Sequence, residues 1–257
     1  MLELRHVFKT YNPGTVTQMC LFEDFNLLVK NGEFVSIVGS NGSGKTSLLN
    51  IICGSIPIDS GEVRIDNQNN NKRKDFERYA RIGRVYQNPA MGTCPNLTIL
   101  ENMSLADNKN KRYGLSFGVN KKRAGFYRDQ LAALGLGLED KLHVKMGTLS
   151  GGQRQAVSLL MATLQPLSFL ILDEHTAALD PHTAEVIMEL TDKIVKEKRL
   201  TAIMVTHNLR YAVCYGDRLI MMDKGQIILD QAAEEKRRTT TDSLLQLFNQ
   251  ISIECGN

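Results

Sequence analysis

Nine consecutive residues, Gly39-Ser40-Asn41-Gly42-Ser43-Gly44-Lys45-Thr46-Ser47, constrain the fold more than any other stretch of the chain. They match G-x-x-x-x-G-K-[ST], the phosphate-loop (Walker A) pattern, which carries weight only between a strand and a helix. Both flanks are present. Residues 34–38 are β-rich and mostly apolar, and Leu48, Leu49, Ile51 and Ile52 follow at helical spacing. Gly39, Gly42 and Gly44 allow the backbone to approach a phosphate closely. The loop N–H groups and the positive end of the helix dipole then converge on the anion. Lys45 would reach the β- and γ-phosphates as a point charge, and the Thr46 hydroxyl would ligate Mg²⁺. The loop alone specifies a nucleoside triphosphate and leaves open what its hydrolysis drives.

Composition narrows the class. A chain of 257 residues makes one large domain, or a domain with a subdomain. With 42% hydrophobic and 23% charged residues it is ordinary globular material. A net charge of +3 does not by itself call for nucleic acid. The cysteines, Cys20, Cys53, Cys94, Cys214 and Cys255, show no C-x-x-C pair, which fits a reducing cytosol without disulfides or a zinc site. No run reaches the roughly 18 apolar residues of a membrane-spanning helix. The N-terminus starts on strand-like sequence, so no signal peptide is expected.

Residues 1–7 alternate as a strand, and residues 22–29 form a second, closed by the hairpin signal Lys30-Asn31-Gly32. Tyr11 lies in a turn-rich loop, where it either stacks on adenine or packs at a strand end. Residues 66–74, rich in Asn and Lys, read as a solvated loop. Residues 82–89 form a strand ending in Gln87. Helices are expected at 97–106, 121–134 and 153–164, as an insertion between two strands of the core. The charge runs 109–112 and 121–123 read as solvated faces, because no aromatic platform accompanies them.

Leu149-Ser150-Gly151-Gly152-Gln153 opens the last inserted helix. Ser150 and Gln153 form a capping box, and the bare N–H groups make a second potential anion site. Phe169-Leu170-Ile171-Leu172 is a buried parallel strand that ends in Asp173 and Glu174. Carboxylates there are costly unless they serve a cation or a water. Asp173 suits holding Mg²⁺ through water, and Glu174 suits a general base. Asp180 caps a helix with Pro181 at its first position. Strand 201–205 is followed by His207, on the sheet edge where ligands of α/β proteins bind. Residues 217–222 and 226–229 make a hairpin, and 242–251 a terminal amphipathic helix.

The phosphate loop, Gln87, the Leu-Ser-Gly-Gly-Gln pentapeptide, Asp173-Glu174 and His207, in this order, resemble the ATP-binding subunits of ABC transporters. The pentapeptide is the specific element. The resemblance implies an α/β fold: a P-loop NTPase core with a mostly parallel sheet, an N-terminal antiparallel β subdomain and an inserted helical subdomain at about 90–166. The ATPase domain would span 1–230, with a C-terminal helical tail at 231–257. The cofactors implied are ATP and Mg²⁺. Tyr11 looks like the adenine-stacking aromatic, and residues 39–47 with Ser150, Gly151, Gly152 and Gln153 like the ATP contacts. Lys45, Gln87, Glu174 and His207 look like the catalytic set, and Thr46, Gln87 and Asp173 like the magnesium set. Ala178, Leu179 and Asp180 look like the D-loop at a dimer interface.

The sequence departs from the family pattern at His175, where many members have Pro, and at Ala156 and Met161, where Arg is common. Residues 173–181 resemble bacterial uptake ATPases that act with a permease and a solute-binding protein, for solutes such as amino acids. The implied partners are a second copy of the chain, transmembrane permease subunits and a solute-binding protein, with no nucleic acid. The implied location is cytoplasmic, on the inner face of the membrane. A soluble ABC ATPase and an exporter subunit are the alternatives.

Overall fold

The structure, a computed structural model, describes residues 1–111 and 118–254. Strands β1 (Leu2–Tyr11), β2 (Met19–Val29) and β3 (Phe34–Gly39) lead into helix α1 (Lys45–Cys53). Next come β4 (Ser60–Ile65), β5 (Gln68–Asn69), α2 (Asp75–Tyr79) and β6 (Ile82–Val85). Helices α3 (Ile99–Asp107), α4 (Ala124–Ala132) and α5 (Gly151–Ala162) separate β6 from β7 (Phe169–Asp173). The chain continues through α6 (Pro181–Glu197), β8 (Ala202–Val205), α7 (Leu209–Cys214), β9 (Arg218–Asp223) and β10 (Gln226–Ala232), and ends in α8 (Ala233–Arg238) and α9 (Thr241–Glu254). Arg112 of the first charge run, the Ile251 side chain and Cys255 lie outside what is described.

Two sheets form. Strands β2-β1-β4-β5 make a four-stranded antiparallel sheet, and β10-β9-β3-β8-β7-β6 a six-stranded one. In the larger sheet every pairing from β9 to β6 is parallel, and only β10 runs antiparallel. The apolar runs explain this. Successive side chains of a strand point to opposite faces, and a parallel sheet is covered on both. Leu170, Leu172, Ala202 and Met204 enter a core shared with the inserted helices and α6. Phe169, Ile171, Ile203 and Val205 enter the core beneath α1 and the antiparallel sheet.

Local chemistry sets the helix starts. Thr98 accepts from the Glu101 N–H while the Glu101 carboxylate reaches back, a capping box before α3. Asp180 caps α6 at Thr183, with Pro181 as its first residue. Helix α9 lays Leu244 into a small core with Val38, Leu219 and Met221.

Several expectations need correction. The turn at residues 30–33 is real, with Glu33 N–H bonded to the Lys30 carbonyl, but β2 and β3 belong to different sheets, so it is no hairpin. Local turn chemistry cannot report which sheet the next strand joins. Tyr11 is the last residue of β1 and not part of a loop. The Asn-rich stretch is not simply solvated. Residues 68–69 pair with β4, Asn70 is buried, and the Asn71 side chain bonds Val63 N–H and the Gly61 carbonyl. Lys109 is not on a solvated face either, since its Nζ donates to the Ile82 carbonyl at 2.9 Å.

The inserted helices are joined to one another through Asp107, whose side chain is wholly buried. Its Oδ2 faces Arg123 Nε at 2.7 Å and accepts from the Tyr127 hydroxyl at 3.0 Å. Its Oδ1 accepts from Gln165 Nε2 at 2.6 Å, beyond the end of α5. Removing one partner of such a network strands the others. Asp107→Ala should cost about 3–5 kcal/mol, read as a fall in the denaturant midpoint, and Asp107→Asn should cost less.

Candidate active site

The phosphate loop takes the shape its glycines permit. Gly42 and Gly44 have φ of 81° and 98°, in the left-handed region that disfavours other residues. A Cβ at Gly39 would lie 2.2 Å from the Met222 carbonyl oxygen, so that position has no room for a side chain. Helix α1 starts without a side-chain cap, leaving its N-terminus to an anion. Lys45 is buried, and its Nζ donates to the Gly39 and Ser40 carbonyls at 2.8 and 2.7 Å and to Ser43 Oγ at 3.2 Å. Burial lowers its pKa, against the opposing charge of Glu174. Ser40 Oγ donates to Asp223 at 2.8 Å, and the Tyr11 hydroxyl reaches Ser47 Oγ at 3.3 Å. Asn41 is exposed at the loop tip.

The second half of the site comes from three strand ends. Gln87 lies two residues past β6, Asp173 closes β7 with Glu174 after it, and His207 lies two residues past β8. Glu174 has φ 48°, a left-handed conformation that costs a non-glycine residue about 1–3 kcal/mol. Bonds from Glu174 N–H to the Val205 carbonyl and from Ala177 N–H to the Glu174 carbonyl hold it there. Its carboxylate lies 2.7 Å from His207 Nε2. A cleft of about 500 Å³ is lined by Thr46, Gln87, Asp173 and Glu174, with Asn50 and Arg84 on its wall.

This cleft fits Mg²⁺. Among the described residues no three His, Cys, Asp or Glu side chains gather to hold a metal alone. Magnesium needs no such cage, since one hydroxyl or carboxylate, phosphate oxygens and water complete its octahedron. Thr46, Asp173 and Gln87 supply that kind of donor set.

Sequence reasoning missed Arg84. Its Nη2 donates to Asp173 Oδ2 at 2.6 Å and its Nη1 to Asn50 Oδ1 at 2.9 Å. Burial is the largest single influence and opposes the charge, but the bond and charge of Asp173, together with Cys53 and Tyr79, hold the guanidinium pKa above its ordinary value. The available signal is an arginine inside an apolar strand, which calls for buried hydrogen-bond acceptors. Asn50 carried no signal, being one polar residue on a helix. In the sequence His175 stands out only as a departure from the family pattern. It is fully buried, with Nε2 3.0 Å from the Thr191 hydroxyl of α6.

Ser150 caps α5 in the expected capping box with Gln153. Ser150 and Gly151 are exposed, and none of Ser150, Gly151, Gly152 and Gln153 lines the Thr46–Glu174 cleft. A Cβ at Gly152 would lie 2.1 Å from Thr183 of α6, and one at Gly151 would meet Leu179 at 3.4 Å. The pentapeptide thus packs against residues 179–183, and Ala178 and Asp180 on either side of Leu179 are exposed.

Comparison with known proteins places this geometry. The family model described as ABC transporter matches residues 22–177. The tyrosine transport ATP-binding protein of Clostridioides difficile (strain R20291) is 44% identical over 248 residues, covering 96% of this chain and 98% of that protein. The phosphonates import ATP-binding protein PhnC of Lactococcus lactis subsp. cremoris (strain SK11) is 31% identical over 252 residues, covering 95% and 98%. A solved dimer of the Methanocaldococcus jannaschii cassette MJ0796, in a post-hydrolysis state with ADP and Pi, matches with a TM-score of 0.75 at 34% identity, covering 90% of this chain and 98% of that one. The chain belongs to the ABC transporter family. Within it, the chain is an ATP-binding subunit carrying the family's ATPase domain.

Burial moves the His175 pKa from 6.5 down to about 4. The unfolded chain therefore binds a proton on this histidine at a higher pH than the folded chain does. The stability at stake is fully present above pH 6.5 and is lost as pH falls toward 4. At 1.36 kcal/mol per pKa unit the loss is about 3 kcal/mol. Denaturant titrations across this range should show the decline, and His175→Gln should remove most of this share.

Proposed function

We propose that the chain powers import of a small organic solute, an amino acid, through a membrane permease. It would act on the cytoplasmic face as a homodimer that closes on two ATP molecules. Among the described residues no helix is long and apolar enough to cross a membrane; the path for the solute would come from partner subunits. A solute-binding protein would deliver the solute. The amino-acid reading is supported by the relative named for tyrosine transport, which aligns over nearly the whole chain. The import reading is supported by the relative named for phosphonates import. The permease and the binding protein select the solute, so tyrosine is the first to try in vesicles reconstituted with both.

One observation carries the mechanism. The exposed N-terminus of α5, with Ser150 and Gly151, contributes nothing to its own chain's Thr46–Glu174 cleft. An anion-binding helix end with no ligand site of its own fits a site completed by a second copy. Each ATP would lie between residues 39–47 of one chain and Ser150, Gly151, Gly152 and Gln153 of the other, with Tyr11 stacked on adenine. Lys45 would leave its loop carbonyls for the β- and γ-phosphate oxygens. Thr46, Asp173 and Gln87 would hold Mg²⁺, which offsets phosphate charge when bound. Glu174, with His207 beside it, would orient the attacking water, and His207 would then bond the γ-phosphate. Loss of that phosphate weakens the bridge between copies, and the dimer opens. Gln87, on the cleft wall and outside the regular strand, would pass this movement to the permease.

Glu174→Gln should still bind ATP, lose about 10²-fold or more in turnover, and accumulate as a dimer on size exclusion with Mg-ATP. Turnover at the wild-type rate would remove Glu174 from the role. Ser150→Arg should leave nucleotide binding by the monomer intact and cripple hydrolysis. Full ATPase activity in that variant would overturn the two-copy site.

A further inference from the structure

We propose that Arg84 is the positioning residue for the magnesium site: it ties Asp173 to the phosphate-loop helix and commits one carboxylate oxygen, leaving the other for the ion. The inference rests on the reading of Asp173 as the Walker B carboxylate. Arg84 itself touches neither nucleotide nor metal in this scheme, so it is not a catalytic residue.

Strand register brings the pair together. Strand β6 lies beside β7 with Arg84 level with Ile171, so Asp173 stands two residues further on, on the same face. The arginine therefore reaches along its neighbour to the acid at the strand end. Nη2 meets Asp173 Oδ2 at 2.6 Å, while Nη1 meets Asn50 Oδ1 at 2.9 Å. Asn50 belongs to α1 and lies four residues after Thr46, so the two share one helix face. The proposed protein ligands of Mg²⁺ thus sit on different elements, Thr46 on α1 and Asp173 on β7. One guanidinium bolts those elements together directly behind them.

Three further features fit positioning. The side chains are almost out of water, at 7% exposure for Arg84 and 15% for Asp173, so solvent cannot substitute for the bond. The guanidinium carbon sits 4.8 Å from the Tyr86 ring centre, which fixes the plane of the fork. Arg84 Nε is buried without a partner, so the polar satisfaction of this side chain rests on its two Nη groups. A planar fork serves two anchors at once, as a single ammonium cannot.

The test uses the full chain and a fluorescent ATP analogue, titrated in Mg²⁺ and again in EDTA, with thermal melting recorded for each variant. The readout is the gain in nucleotide affinity that Mg²⁺ confers. Arg84→Met should reduce that gain about tenfold while leaving affinity in EDTA within about twofold of wild type, well inside that effect. A role confined to general folding would lower both affinities alike. Arg84→Lys keeps the buried charge but not both anchors, and should fall between wild type and Arg84→Met. A wild-type magnesium gain in either variant overturns the proposal.

Asp173→Asn should abolish most of the gain; if it does not, the reading of Asp173 itself has failed. Arg84→Met/Asp173→Asn removes both buried charges and strands neither, so it tolerates folding better than Arg84→Met. Because Arg84 acts through Asp173, this double variant should match Asp173→Asn. A further loss in the double variant overturns the positioning role even if Arg84→Met does not fold.

Discussion

The site depends on the alignment of parallel strands. Ile37 of β3 is level with Val205 of β8, and Val205 with Asp173 of β7; Leu172 is level with Val85 of β6. Within two residues of that line the chain presents Gly39, His207, Glu174 and Gln87. Four segments distant in sequence therefore deliver their chemistry to one edge without any loop having to reach for it. Ligands of open α/β sheets bind outside the carboxyl ends of the strands for this reason. A slip of one residue in any of these registers would turn that strand's apolar side chains to the wrong core. Packing of the two cores thus protects the geometry of the site.

The same edge gathers buried and half-buried polar groups, and the fold gives each its own partner. Lys45 is held by two carbonyls and a serine hydroxyl, Asp173 by Arg84, and Glu174 by His207. Such pairs repay desolvation only with good geometry and further hydrogen bonds, which explains why each sits on rigid strand ends or a helix start. They also mean that a triphosphate would exchange existing partners for its own oxygens. The differential interaction required for a ligand-driven conformational change is thereby present at the loop itself.

How much of this was legible in the sequence follows from the range of each signal. The phosphate loop, the Asp180 cap and the Ser150 capping box depend on residues at most eight positions apart, and their local geometry is readable. The parallel sheet was readable because its strands are short apolar runs separated by helical patterns. The partner of a strand was not. Lys30-Asn31-Gly32 carries a turn signal whether the chain folds back or crosses to another sheet, and here it crosses. The Arg84–Asp173 pair spans 89 residues and depends on β6 lying beside β7, which no local pattern encodes. Composition reports only the polarity of Asn70 and Asn71, and their bonds to β4 exist only once the short hairpin forms.

The pentapeptide shows how a local signal acquires a larger meaning. As a capping box, Ser150 with Gln153 explains only why α5 begins where it does. Its neighbours add a constraint, since Gly152 is pressed against Thr183 and Gly151 against Leu179, so the helix end is set by α6 rather than by any ligand in its own chain. Helix α6 is in turn set by Asp180, seven residues after Asp173 along the same segment. The exposed helix end and the Asp173 carboxylate are therefore held by one short stretch of backbone, through Leu179 and the strained Glu174. Rigid connection of those two features on opposite sides of residues 174–180 is the property a two-copy site needs. In the proposed two-copy site, closure on one nucleotide would then bear on the geometry of the other through seven residues, with no long-range path required.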